Sequence, residues 1–161
     1  MVQNQINTYI NNIIKQIVTD EAILEKLQYK VLKNNLELKL LEKKVIIPLP
    51  VNIEELSSNL FKFEKDFFVQ LENAIYFPFQ SRIKVNNREY NISNIYNLIL
   101  KKTALNDRVT IDNLYAWCWP RDKTMNIDKL YSNLSTLKKY LKKIGLNKVK
   151  LSIQQKQISL Y

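Results

Sequence analysis

Residues 126–144, NIDKLYSNLSTLKKYLKKI, carry the side chains best suited to chemistry with another molecule. At 100° per residue, Ser132, Ser135, Thr136, Lys139 and Lys143 fall on one side of a helix, with Lys129 and Lys142 at their flanks. Small hydroxyls donate to phosphate oxygens and long cations neutralise them, so the chemistry is the binding of a polyanion. The opposite side holds Leu130, Leu134, Leu137, Leu141 and Ile144 at steps of four and three, within about 80° of arc. That pattern predicts an amphipathic helix with a buried seam. A solvated surface helix has the same pattern, so the rest of the chain must decide.

Other chemistries are poorly supplied. The chain has no histidine and one cysteine, Cys118, which removes histidine acid–base catalysis, Cys/His metal sites and any intrachain disulfide. Its single glycine excludes glycine-rich phosphate loops. The acids Glu54, Glu55, Glu64 and Asp66 lie beside lysines on a helical pattern and read as a solvated face. No enzyme activity, cofactor or metal is expected. Cys118, among Tyr115, Trp117 and Trp119, is expected to be a packed thiol.

The net charge of +10 is uneven. Residues 1–100 hold 12 basic and 11 acidic side chains, residues 101–161 hold 13 and 4. Codon bias toward Asn, Ile and Lys explains abundant lysine but not the loss of acids from the C-terminal part, and such an asymmetry favours nucleic acid. No apolar run approaches the roughly 20 residues that span a bilayer, and the polar start MVQNQIN is unlike a signal peptide. The expected compartment is the cytoplasm, with the protein associated with the nucleoid and not with membrane.

The elements that must position the basic helix follow from periodicity. Ile10, Ile17, Leu24, Val31, Leu38 and Val45 recur at sevens, with Ile13, Leu27 and Leu41 on companion places, which predicts coiled-coil-like helix pairing. Thr19-Asp20-Glu21 has the composition of a helix start within that segment. Ile17, Leu24, Leu27, Val31, Leu38 and Leu41 would form the dimer seam. KVIIPLP, residues 44–50, reads as a short strand or connector, and Asn52 caps a helix with Leu56, Leu60, Phe63 and Phe67 on one face. Between residues 72 and 92 the period becomes two: Ile75, Phe77 and Phe79, then Ile83 and Val85, with a hairpin turn at Asn86-Asn87. Ser93 and Thr110 cap two further helices. Beyond Gly145, alternation of Val149, Leu151 and Ile153 with Ile158 and Leu160 predicts a terminal hairpin.

Sheet, helix, helix, basic helix and hairpin is the order of a helix–turn–helix with a wing. Residues from about 72 to 161 resemble the winged-helix DNA-binding domain of OmpR/PhoB-type transcriptional response regulators. VTIDNLYAWCWP is similar to that family's second helix, LSTLKKYL to its recognition helix, and LSIQQKQISLY falls where the family has its wing. The resemblance implies base-facing positions at Asn133, Ser135, Thr136 and Lys138 and a basic wing residue at Lys156. Two family arginines fall on Thr136 and Lys138, and the wing glycines on Gln155 and Gln157. Residues 20–65 are more weakly similar to the last third of a receiver domain, with Leu49 where the phosphate-sensing lysine would stand, so phosphorelay control is not expected.

The expected fold is therefore α+β: a helical dimerisation region over 1–68 and a winged helix over 69–161. The expected function is transcriptional regulation by a homodimer bound to double-stranded DNA. Lys129, Lys138, Lys139, Lys142, Lys143, Lys148, Lys150 and Lys156 would meet phosphates, and Ser132, Asn133, Ser135 and Thr136 would line the groove. The alternative is a winged-helix module that contacts RNA polymerase, another regulator or the replication machinery.

Overall fold

The computed structural model describes residues 2–18, 24–50 and 52–160, and the chain is α+β, dividing into two units at residues 66 and 67. In the first unit, α1 (Val2–Ile17) precedes the strands β1 (Leu27–Leu32), β2 (Asn35–Leu40) and β3 (Lys43–Pro48), and α2 (Ile53–Asp66) follows. The strands form an antiparallel meander in sequence order. On central β2, Leu36, Leu38 and Leu40 are fully buried while Lys39 points to solvent, the period-two signature of a half-covered sheet. Ile47 of β3, Ile10, Ile13 and Ile14 of α1, Val18 just after it, and Leu56 and Leu60 from α2 complete the buried set among the described residues of this unit. Asn52 caps α2 by accepting the Glu55 N–H at 2.8 Å.

This meander corrects the expected coiled coil. Ile17 ends α1 and Leu24 lies before β1, whereas Leu27 and Val31 are in β1, Leu38 is in β2 and Leu41 is in a two-residue turn. The sevenfold recurrence has another origin. Leu38 pairs directly with Val45, and Val31 lies two residues from Tyr29, the β1 partner of Leu38. Strands of six residues joined by two-residue turns therefore return to the same sheet face about every seven residues. No helical seam joins these positions, so the predicted dimerisation surface loses its basis. The helix start read at Thr19-Asp20-Glu21 lies outside the described residues.

The second unit opens with a four-stranded antiparallel sheet, β4 (Val69–Leu71), β5 (Ala74–Phe77), β6 (Arg82–Val85) and β7 (Arg88–Asn91), in chain order. A 3-10 turn, Pro78–Gln80, takes Phe79 out of the strand expected to contain it. The buried residues of β5 are Ala74 and Tyr76, and the alternating Ile75 and Phe77 are only half-buried. Tyr76 can face inward because Asn97 accepts its hydroxyl proton at 2.6 Å and in turn donates to the Pro78 carbonyl at 3.0 Å. Then come α3 (Asn94–Ala104), β8 (Val109–Thr110), α4 (Ile111–Cys118), α5 (Ile127–Lys143), β9 (Leu151–Gln154) and β10 (Gln157–Leu160).

The last hairpin does not stand alone. β10 is central in a three-stranded sheet of order β8-β10-β9, pairing Ile158 with Val109, and the Ile111 N–H donates to the Lys156 carbonyl at 3.0 Å. The two-residue strand that makes this joint had no visible sequence signal. Leu100, Leu114, Leu130, Leu137 and Ile158, all fully buried, lie at the centre of the unit's core. Burial pushes the Cys118 thiol up to about 12, which leaves it protonated at neutral pH.

With one glycine in the chain, most turns use other residues at positive φ. Asn86 and Asn87 take this conformation at the β6–β7 turn and Gln155 and Lys156 at the β9–β10 turn, while Leu41, Glu72 and Ser81 take it singly.

Candidate nucleic-acid interface

α5 is held as an amphipathic rod. Its seam residues Leu130, Leu134, Leu137 and Leu141 are each no more than 1% exposed, so the inward face is fixed by burial. At the start, the Asn126 carboxamide oxygen accepts the Lys129 N–H at 3.1 Å, and Asp128 sits in the first turn, where its charge suits the helix dipole. At the end, the Gly145 N–H donates to Lys142 at 3.0 Å and the Leu146 N–H to Leu141 at 2.9 Å, a Schellman closure that needs the +99° φ of Gly145. Tyr140 donates to the Asn91 carbonyl at 2.8 Å, which ties the helix flank to the end of β7. Burial, and then the neighbouring Tyr90, raise the Tyr140 pKa, so the phenol stays a donor.

The side chains expected to face a polyanion divide into two groups. Lys129 is engaged within the protein: its ammonium meets Asp122 at 2.8 Å and lies 4.6 Å from the centre of the Trp119 ring. Asp122 also accepts the Tyr115 hydroxyl at 2.5 Å. Hydrogen bonds from Lys129 and then Tyr115 hold its carboxyl below the usual aspartate range. Lys129 therefore fastens the α4–α5 loop. Asn133 and Thr136 spend donors on the helix itself, bonding the carbonyls of Lys129 at 2.8 Å and Ser132 at 3.0 Å. Lys148 pairs with Glu72 at 3.2 Å yet keeps its side chain largely in solvent.

The other group is available. Ser132, Ser135, Lys138, Lys139, Lys142 and Lys143 on α5 and Lys150 and Lys156 around the terminal hairpin are exposed. None of these six lysines has an acidic partner among the described residues. Lys138, Lys142 and Lys150 converge on a shallow groove of about 490 Å³ between α5 and β9, with Asn147 and Ser152 also in its wall. Val149, Leu151 and Ile153 complete the lining, so three cations, an amide and a hydroxyl stand around a partly apolar open groove where charge-assisted hydrogen bonds to an anion can form. Sequence reasoning named the lysines but missed Asn147 and Ser152, whose membership depends on how the hairpin returns beside the helix.

A second omission lies at the front of α5. Met125, Ile127 and Tyr131 are 48%, 37% and 40% exposed. The spacing of Ile127 and Tyr131, four residues apart and off the leucine seam, was the available signal.

Charge follows the division of the chain. Residues 67–161 contain 16 basic and 6 acidic side chains, a net +10, and residues 1–66 contain 9 of each. No helix among the described residues is long and apolar enough to cross a membrane, and no group of three or more His, Cys, Asp or Glu among them could hold a metal ion. No protein-family model matches the chain, and no curated protein or solved structure is significantly similar to it.

Proposed function

We propose that this protein is a duplex-DNA-binding regulator of transcription whose second unit acts as a winged helix, with α5 in the major groove and the β9–β10 hairpin beside the adjoining backbone. One observation carries the reading: six exposed lysines without acidic partners among the described residues lie on one helix and the following hairpin of a unit that holds all the net charge. The element order of residues 67–161 supports it as well, because a helix ahead of a paired hairpin offers a groove contact and a backbone contact side by side.

The mechanism is phosphate neutralisation with release of condensed counterions. Lys138, Lys142 and Lys150 would take one backbone segment in their common groove, and Lys139 and Lys143 the neighbouring one. Lysine lacks the planar fork with which arginine recognises guanine, so Ser132 and Ser135 leave base discrimination modest.

If all six lysines meet phosphates, log affinity should fall against log salt with a slope of about −5 on duplex DNA. Fluorescence anisotropy with a labelled duplex at a series of salt concentrations measures it. Binding that is undetectable, or indifferent to salt, overturns the proposal.

A further inference from the structure

We infer that the front of α5 carries an apolar reader of thymine methyl groups, formed by Ile127 and Tyr131, one turn apart, with Met125 just ahead of the helix in sequence. The inference rests on the duplex-DNA reading above and adds what the helix would recognise there. Its starting point is an uneven distribution of exposed apolar surface. In the second unit, the strongly exposed large hydrophobic side chains among the described residues are these three, all within seven consecutive positions. A clustered apolar patch on an otherwise polar helix marks a contact surface.

The continuation of the patch identifies its occupant. Ile127, Tyr131, Ser135, Lys138 and Lys142 follow one another at steps of four and three, on one flank of α5 within about 80° of arc. The stripe passes from apolar through hydroxyl to cationic, and its cationic end opens into the groove shared with Lys150. A duplex presents that sequence of surfaces to an inserted helix. The front of a groove helix meets base edges, and its later turns meet the backbone. The thymine C5-methyl is the apolar feature of the major groove, and it distinguishes T from the other bases without an arginine fork. Asp128, on the same first turn, would be repelled by phosphate, which assigns the front of the helix to bases and leaves the backbone to the lysines.

Substituting deoxyuridine for thymidine removes the methyl groups and keeps every hydrogen-bonding edge and phosphate. Anisotropy titrations of the full chain would use a short A·T-rich duplex in both forms at one salt concentration. The thymine duplex should bind more tightly, by about fourfold for each methyl contacted. Ile127→Ser with Tyr131→Ser should equalise the two duplexes while preserving the affinity for the uracil form and its salt slope, and Tyr131→Phe should keep the preference. Both residues are exposed, so a circular-dichroism melt should find the double variant folded. Equal binding of the two duplexes by the unaltered protein overturns the inference and leaves the DNA reading standing, as for a patch that docks a protein or a second copy. A thymine preference that survives the double variant overturns the assignment to these side chains. Binding of neither duplex overturns the DNA reading and the inference with it.

Discussion

The two units have the same kind of lysine-rich sequence and opposite electrostatic outcomes. The first, residues 1–66, balances its 9 cations with 9 acids, and on its sheet Lys44 and Glu37 sit 2.7 Å apart across β2 and β3. The second carries 16 cations against 6 acids, and six of its lysines, on α5 and around the last hairpin, have no acidic partner among the described residues. A compositional bias acting on the whole chain would raise lysine in both units without removing acids from one. The basic surface is therefore a property of position, and this is the firmest ground for assigning polyanion binding to residues 67–161.

The largest expected effect tests that contrast directly. Lys139→Glu with Lys143→Glu should weaken duplex binding by at least about 60-fold near 0.1 M salt and reduce the salt slope by about 1.8. Lys30→Glu with Lys33→Glu, equally exposed but in the neutral unit, should change neither by more than a small factor. Equal losses from the two pairs would dissolve the distinction.

The next sharpens the description of the neutral unit. Leu36 is fully buried on β2, whereas the heptad frame puts it on the outermost helical position. Leu36→Ala should cost about 3 kcal/mol in a denaturant titration, as for a buried leucine, and a coiled coil predicts almost no cost. DNA affinity of the folded variant should be unaltered.

Two smaller effects probe the frame of the basic helix. Gly145→Ala should destabilise by about 1 kcal/mol, because alanine resists the +99° φ while the added methyl would meet only Val85 Cγ1 at an ordinary 3.6 Å. Asp122→Asn removes an acid whose pKa is lowered in the folded state. The Lys129 and Tyr115 interactions thus give their full stabilisation above the unfolded-state pKa and lose it as pH falls through the lowered folded-state pKa. Thermal melts of the Asn variant should be slightly lower at neutral pH and less sensitive to acid.

What could be read from the sequence was whatever local rules determine. The limits of α5 followed from Asn126, five seam residues and Gly145, each acting within one or two turns of its own position. The Asn86-Asn87 turn followed from two residues that tolerate left-handed φ. The meander was hidden because a seven-residue recurrence suits both a helical heptad and short strands with tight turns, and Leu36 and Leu40, the discriminating residues, fell outside the frame. The alternation of Ile75 and Phe77 marks β5 as a strand but not its buried face, since the tertiary hydrogen bond from Tyr76 to Asn97 makes a tyrosine a better core residue than its alternating neighbours. At the candidate interface, helical angles identified the outward lysines. The engagement of Lys129 with Asp122 and Trp119, and of Lys148 with Glu72, depends on partners that no local pattern names.

The scarcity of glycine leaves this fold an unused stability reserve. Leu41, Glu72, Ser81, Gln155 and Lys156 hold a backbone conformation that L-residues resist, at positions where glycine or asparagine would rest without strain. Replacing Leu41 and Ser81 first, neither of which belongs to the basic helix or the terminal hairpin, should release roughly 0.5–1 kcal/mol each, a margin against which an engineer could set destabilising changes elsewhere in the molecule.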